Sequence, residues 1–135
     1  KDFTRAVYES IAFAIRHTLD VSEAAAGFTA NDFVVCGGGS RSHFWNQLKA
    51  DVLQRQVIPT ADSQTGCLGA AVIASLVAGF FPDLKTACRN MIQFKNPVDP
   101  NPAKKSVYEE PYNIYRQSYP ALKPIWTGIS SHKGT

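Results

Sequence analysis

The chain is poor in the residues that hold metals or staple folds. Its three cysteines, Cys36, Cys67 and Cys88, are widely spaced, with no Cys-x-x-Cys pair and no Cys/His cluster. That excludes structural zinc and a disulfide framework as organising features. All three sit among apolar neighbours and are expected to be buried free thiols in a reducing compartment. Charge of one sign is scarce as well. Fourteen Lys and Arg face 11 Asp and Glu for a net +3, and only Lys104 and Lys105 are adjacent. Without a polybasic patch, neither nucleic acid nor a membrane surface is an expected partner, while acidic substrates stay open. The longest apolar run, residues 68–81, is too short and too rich in alanine and glycine to span a bilayer. The first residues enter an amphipathic pattern directly, without the layout of a signal peptide, so a cytoplasmic location is expected.

Several motifs of catalysis and phosphate binding are also missing. A Gly-x-Gly-x-x-Gly started at Gly37 would need glycine where Ser42 stands, and one started at Gly38 would need it at Ser40. The dinucleotide fingerprint therefore fails, and no Gly-Lys-Ser or Gly-Lys-Thr supports a P-loop. Ser40 or Ser42 beside His43 would suggest a hydrolase only within Gly-x-Ser-x-Gly, which is absent. Glu9 and Asp51 are single carboxylates inside helical segments, with no second carboxylate aligned for acid–base work, so structural roles are expected of them.

What is present is an ordinary globular composition, 44% hydrophobic and 19% charged over 135 residues, enough for one domain with a core of its own. Lys1 stands where an initiator methionine would, and the residues after it read as the approach to a helix, so a piece of a larger protein is expected. Phe3, Ala6, Val7, Ile11, Ala14, Ile15 and Leu19 recur at helical spacing, predicting a helix over residues 3–26 with Gly27 as its C-cap. Residues 33–36 read as a buried strand. A stripe of Phe44, Trp45, Leu48, Val52 and Leu53 predicts a helix from Ser42 to about Gln54. Val57 and Ile58 before Pro59 suit a short second strand, parallel to the first if a βαβ unit forms. A polar loop over residues 60–66 follows, in which Ser63 or Thr65 could cap an alanine-rich helix over 66–78. Gly79 closes that thin helix, which is able to lie close to a sheet or another helix. A further helix over about 83–94 begins after Pro82. Pro97, Pro100 and Pro102 mark an extended connector. Beyond it, four of the five tyrosines, Tyr108, Tyr112, Tyr115 and Tyr119, share one helical face, as a packed aromatic stripe or a surface for stacking a ligand. Pro111 implies a kink or a late helix start, and residues 127–135 read as a flexible tail.

The segment 33–51 carries most of the functional information. A short apolar run breaks at Gly37, Gly38 and Gly39, and a helical pattern starts behind Ser40. Glycines leave no Cβ to hold a ligand off, and the first N–H groups of a helix favour electron-rich groups. On the residues alone this is either a nucleotide corner or a tight strand-to-helix turn.

The stretch Gly-Gly-Gly-Ser-Arg-Ser-x-x-Trp-x-Gln-x-x-Ala-Asp, from Gly37 to Asp51, resembles the adenosine motif of the FGGY family of carbohydrate kinases. Arg5-Ala-Val-Tyr-Glu-Ser-Ile-Ala-Phe13 resembles that family's Arg-Ala-x-x-Glu-Gly-(Ile/Val)-Ala-Phe helix, and Thr65-Gly-Cys-Leu-Gly-Ala-Ala71 its Leu-Gly-Ala-Ala helix. The four tyrosines followed by Pro120 resemble its C-terminal pattern. The likeness runs over residues 2–126 in the family's order, with the xylulokinase branch nearest in pattern.

The resemblance implies an α/β fold, part of an actin-like, ribonuclease-H-like ATPase domain with a short sheet flanked by several helices. Residues 1–126 would be the C-terminal portion of the second domain. The implied reaction is transfer of the ATP γ-phosphate to a sugar or polyol hydroxyl with Mg2+ in the full-length enzyme, catalysed by positioning and electrostatics. Gly38, Gly39 and Ser40 would line the adenine and ribose pocket through their backbones. His43 falls where some relatives place an asparagine that contacts adenine. Ser10, Gln54 and Gln64 also depart from common family residues. The resemblance places no catalytic residue in this chain: the family's phosphate loop, catalytic aspartate and sugar-binding residues map elsewhere. The sugar itself is left open among xylulose, ribulose, gluconate, glycerol and erythritol. So is the assembly, a homodimer included. The alternative function is a noncatalytic nucleotide-sensing or scaffold domain of the actin-like fold.

Overall fold

The computed structural model describes residues 2–131 and orders them as α1 (Asp2–Ala26), β1 (Asp32–Val35), a 3-10 turn (Gly38–Arg41), α2 (His43–Leu53), β2 (Gln56–Pro59), α3 (Thr65–Val77), α4 (Leu84–Met91), a second 3-10 turn (Pro102–Lys104) and α5 (Lys105–Ser131). The two strands form one parallel pair in the register Phe33 with Val57 and Val35 with Pro59. Helix α2 is the crossover that a parallel pair requires. The outer edge of β2 is covered by the connector, where Val57 and Val98 exchange backbone bonds of 3.0 and 2.8 Å.

Helix α2 is buried nearly all round, because both halves of the core meet on it. On one side Ala12 and Phe13 of α1, Leu48 and Val52 of α2, and Tyr108 and Tyr112 of α5 pack together, with Trp45 and Tyr115 at the margin. On the other, Ala50 and Leu53 of α2 meet Val35 and Val57 of the strands, flanked by Ile15, Leu19 and Phe33. The tyrosine stripe is thus a packing device over its first three members, while Tyr119 remains exposed beside Trp126, with ring centroids 5.5 Å apart.

Glycine punctuation works as the sequence predicts at two helix ends. Gly27 takes φ 71° and bonds the Glu23 carbonyl at 2.9 Å, and Gly79 takes φ 75° behind α3. Other expectations are corrected. Neither Ser63 nor Thr65 caps α3. Gln64 occupies the cap position without a side-chain bond, and its N–H donates to Asp62 Oδ1 at 2.7 Å. Helix α5 continues through Pro111, Pro120 and Pro124, each lacking the N–H that an i−4 carbonyl would accept from. It reaches Ser131, inside the expected tail over 127–135; residues 132–135 lie outside the described residues. Cys36 and Cys67 are exposed and Cys88 half-buried, all three as free thiols. Val35 and Ala87 beside them are buried at 8% and 0% exposure, so a buried neighbour in sequence does not carry the thiol into the core with it. Helix α3 is mostly exposed too, with only Val72 and Ser75 buried. Among the described residues no helix is long and apolar enough to cross a membrane.

A polar clamp fixes the entry to β1. Arg55, just beyond α2, forms a two-pronged pair with Glu23 of α1, at 2.6 and 2.9 Å, and also donates to the Ala30 carbonyl. Glu23 Oε1 accepts from Ala30 N at 2.6 Å. The Ala30 N–H first, and then Arg55, hold the Glu23 carboxyl below its ordinary range. A depressed folded pKa adds stability above the unfolded pKa and loses it as pH falls through the folded value. Thermal midpoints measured from pH 6 downward should therefore fall more steeply in the wild type than in Glu23→Gln, beginning near pH 5. Parallel pH profiles for the two proteins would refute a role for this carboxylate.

Candidate functional site

The glycine corner lies at the carboxyl end of β1, where open α/β sheets hold their ligands. Gly37 adopts φ 80° and ψ −174°, a combination open to glycine and strained for side-chain-bearing residues. The chain does not enter the helix directly, as the sequence pattern suggested. It first makes the 3-10 turn Gly38–Arg41, and Ser42 then caps α2 by accepting from Trp45 N at 3.3 Å. The side chain of Trp45 lies under Gly39, where an added Cβ would come within 3.4 Å of Trp45 Cδ1. That is ordinary contact distance, so the requirement for glycine is conformational and lies at position 37.

The four residues singled out from sequence do not play one role. Ser40 is 3% exposed and structural. Its Oγ donates to the Gly37 carbonyl at 2.7 Å, its N–H bonds the same oxygen at 3.2 Å, and its carbonyl accepts from Asn46 Nδ2 at 2.8 Å. Gly38 and Gly39 form the exposed outside of the turn. His43 is exposed at the first position of α2. Ser40 and His43 share one open hollow of about 470 Å³ with Arg41, Asn46, Lys95 and Asn96, while Gly38 and Gly39 lie outside its lining.

Sequence reasoning missed the other wall of this hollow. Lys95 and Asn96 reach it because Lys95 N bonds the Pro59 carbonyl at 2.8 Å, which lays the connector along the end of β2. No local pattern could reveal a pairing so distant in sequence. Asn46 did leave a signal: a polar residue three positions after His43, on the arc of α2 that carries the apolar stripe. It is 3% exposed and spends its amide on Ser40. Arg41 turns to the loop before α3 and donates to Ser63 Oγ, with Nε at 3.0 Å. Lys49, 4% exposed, lies with Nζ 5.2 Å from the Trp45 ring centre, and burial pulls its pKa down. The hollow thus offers cationic and amide groups and no carboxylate. That suits an electron-rich or anionic ligand. Both carboxylates weighed from sequence are structural: Glu9 pairs with Arg5 at 2.8 Å, and Asp51 Oδ1 accepts from Gln47 Nε2 and Asn101 N at 2.9 and 2.8 Å.

Comparison with known proteins adds to this geometry. Residues 1–78 match the model of the FGGY family of carbohydrate kinases, C-terminal domain. The chain is 29% identical over 124 residues to a xylulose kinase of Staphylococcus epidermidis, covering 92% of this chain and 25% of that protein. It is 26% identical over 133 residues to one of Bacillus subtilis, covering 98% and 26%. The crystal structure of xylulose kinase from Rhodospirillum rubrum superposes with a TM-score of 0.74 at 31% identity, over 91% of this chain and 25% of that one. The chain therefore spans about a quarter of the length of these relatives.

Proposed function

Since the chain belongs to the FGGY family of carbohydrate kinases and has the actin-like fold of that family's C-terminal domain, we propose that it is the adenosine-holding part of an ATP-dependent sugar or polyol kinase. The observation that carries this reading is the corner itself: a glycine-only turn at Gly37, at the end of a parallel strand, delivering the exposed backbone of Gly38 and Gly39 and the side chain of His43 to one helix start. Gly38, Gly39 and Ser40 shape the base and ribose subsite by their backbone path, Ser40 by holding the turn shut. His43 contributes a ring edge in place of the amide that some relatives carry.

In the complete enzyme the γ-phosphate of ATP passes to a carbohydrate hydroxyl. This chain's share is to bind and orient the nucleoside, which lowers the entropic part of the barrier. Magnesium belongs to the reaction of the complete enzyme. Among the described residues no group of three or more His, Cys, Asp or Glu side chains is placed to hold a metal ion.

The test is a titration of the isotope-labelled chain with adenosine and ATP. Resonances of Gly38, Gly39 and His43 should move, with a Kd no tighter than about 100 µM, because no phosphate clamp adds to the contacts. The chain alone should phosphorylate none of a panel of sugars and polyols. Shifts confined to other elements, low-micromolar affinity or ATP-dependent sugar phosphorylation by the chain alone would each contradict the reading.

A further inference from the structure

The second half of α5 carries a hollow that has no part in the nucleotide reading. Its volume is about 390 Å³, and His17 of α1 with Tyr115, Arg116, Tyr119 and Trp126 of α5 stand in its wall. None of these residues lines the hollow at the glycine corner. Tyr119 and Trp126 are seven positions apart, about two helical turns, and so share a face. Their ring centroids lie 5.5 Å apart with the planes tilted by 54°, so the two rings meet as a wedge of exposed aromatic surface. Tyr115 ties the inner side to the core, its ring 5.8 Å from that of Phe13.

The polar groups around this wedge are mostly donors in want of an acceptor. Arg116 pairs with no carboxylate of the described residues. The Tyr115 and Tyr119 hydroxyls hydrogen-bond to none of them either. Only the Ser118 hydroxyl is spent, on the Ile114 carbonyl at 3.3 Å. His17 Nδ1 is buried with no partner among the described residues, where nearly all buried polar atoms have one. No carboxylate stands in the wall. A planar ring packs against the wedge by offset or edge contacts, and an anionic group answers the guanidinium and the phenols with charge-assisted bonds. A neutral ring leaves Arg116 unanswered, and an inorganic anion leaves the aromatic surface uncovered. The volume falls at the small end of ligand sites, with room for one or two rings.

We propose that this hollow binds a small planar aromatic anion of the aryl carboxylate class, its ring against Tyr119 and Trp126 and its charge on Arg116. Such a ligand touches α1 and α5 together and fastens the second half of α5 to the core. The inference uses no residue of the adenosine subsite, so either reading can fail alone.

The experiment titrates the isotope-labelled chain with phenylacetate, phenylacetamide and cyclohexylacetate. Phenylacetate should move the Trp126 indole, Tyr119 ring and His17 ring resonances and leave Gly38, Gly39 and His43 in place. Its Kd should be about 1 mM or tighter, within reach of so small a ligand. Phenylacetamide keeps the ring and removes the charge, and should bind about tenfold more weakly. Cyclohexylacetate keeps the charge and removes the aromatic face, and should weaken by about as much. Arg116→Met should erase the preference for acid over amide, and Trp126→Ala should lower the affinity for phenylacetate about tenfold. Both positions are exposed, so both variants should keep the wild-type circular dichroism. The proposal is overturned if acid and amide bind the wild type equally, if cyclohexylacetate matches phenylacetate, if the shifts fall at the glycine corner instead, or if about 10 mM phenylacetate moves nothing.

Discussion

Replacing Tyr112 by alanine should cost about 3–5 kcal/mol of folding stability, the range for truncating a fully buried aromatic. Tyr112 is 1% exposed and is the largest of the fully buried side chains. Its ring lies 5.9 Å from that of Phe13 and 4.0 Å under the Arg16 guanidinium, and its hydroxyl donates to Asp20 Oδ2. One side chain therefore ties α5 to α1 by three kinds of contact. Burial, and then the Asp20 carboxylate, push the Tyr112 pKa well up, keeping the phenol a neutral donor throughout the working pH range. Tyr112→Phe keeps the ring and leaves Asp20 without its donor, and should lose about 1–2 kcal/mol. Urea denaturation of the three proteins checks both values. An alanine variant within about 1 kcal/mol of wild type would show that α5 is not anchored through this residue.

The second large effect is expected at Gly37. Nothing lies within 4 Å of an added Cβ there, so no steric clash opposes a substitution. The cost is conformational: φ 80° with ψ −174° should cost Gly37→Val about 1–3 kcal/mol, or force the turn to rebuild. Rebuilding would break both Ser40 bonds to the Gly37 carbonyl and release Asn46 from Ser40, so adenosine-induced shifts at Gly38 and Gly39 should disappear. Gly38→Ala is the control for stability alone, since its φ lies outside the left-handed region and its Cβ meets no protein atom within 4 Å. A D-alanine placed at 37 by semisynthesis should retain both stability and shifts, because a D-residue adopts positive φ without strain. If Gly37→Val binds adenosine like wild type, backbone conformation at 37 does not shape the site.

Much of the architecture was legible in the residues. Helix spans, the parallel pair, the glycine caps and the packing face of the tyrosines follow from periodicities of 3.6 and 2 and from the two residue types that break them. Where the reading strayed, it did so over burial, which nonlocal contacts decide, and over one cap. The thiols look buried in sequence and the alanine helix looks thin enough to lie against another element, but burial depends on what other elements bring to cover them, and little in the described residues covers either. Gln64 stands at the start of α3 because Asp62 folds back to accept its N–H, a local bond that competes with capping by Ser63 or Thr65.

The glycine corner shows the same division at the site. Its place in the chain, its dependence on glycine and its likeness to an adenosine motif are properties of one continuous segment. Strand, turn and helix start are short-range structures, so sequence by itself determined them. That Lys95 and Asn96 form the facing wall of the hollow was decided only by tertiary structure. It depends on which distant backbone pairs with the end of β2. Such pairings are settled by the summed burial and hydrogen bonding of the whole fold, a balance that no local segment encodes.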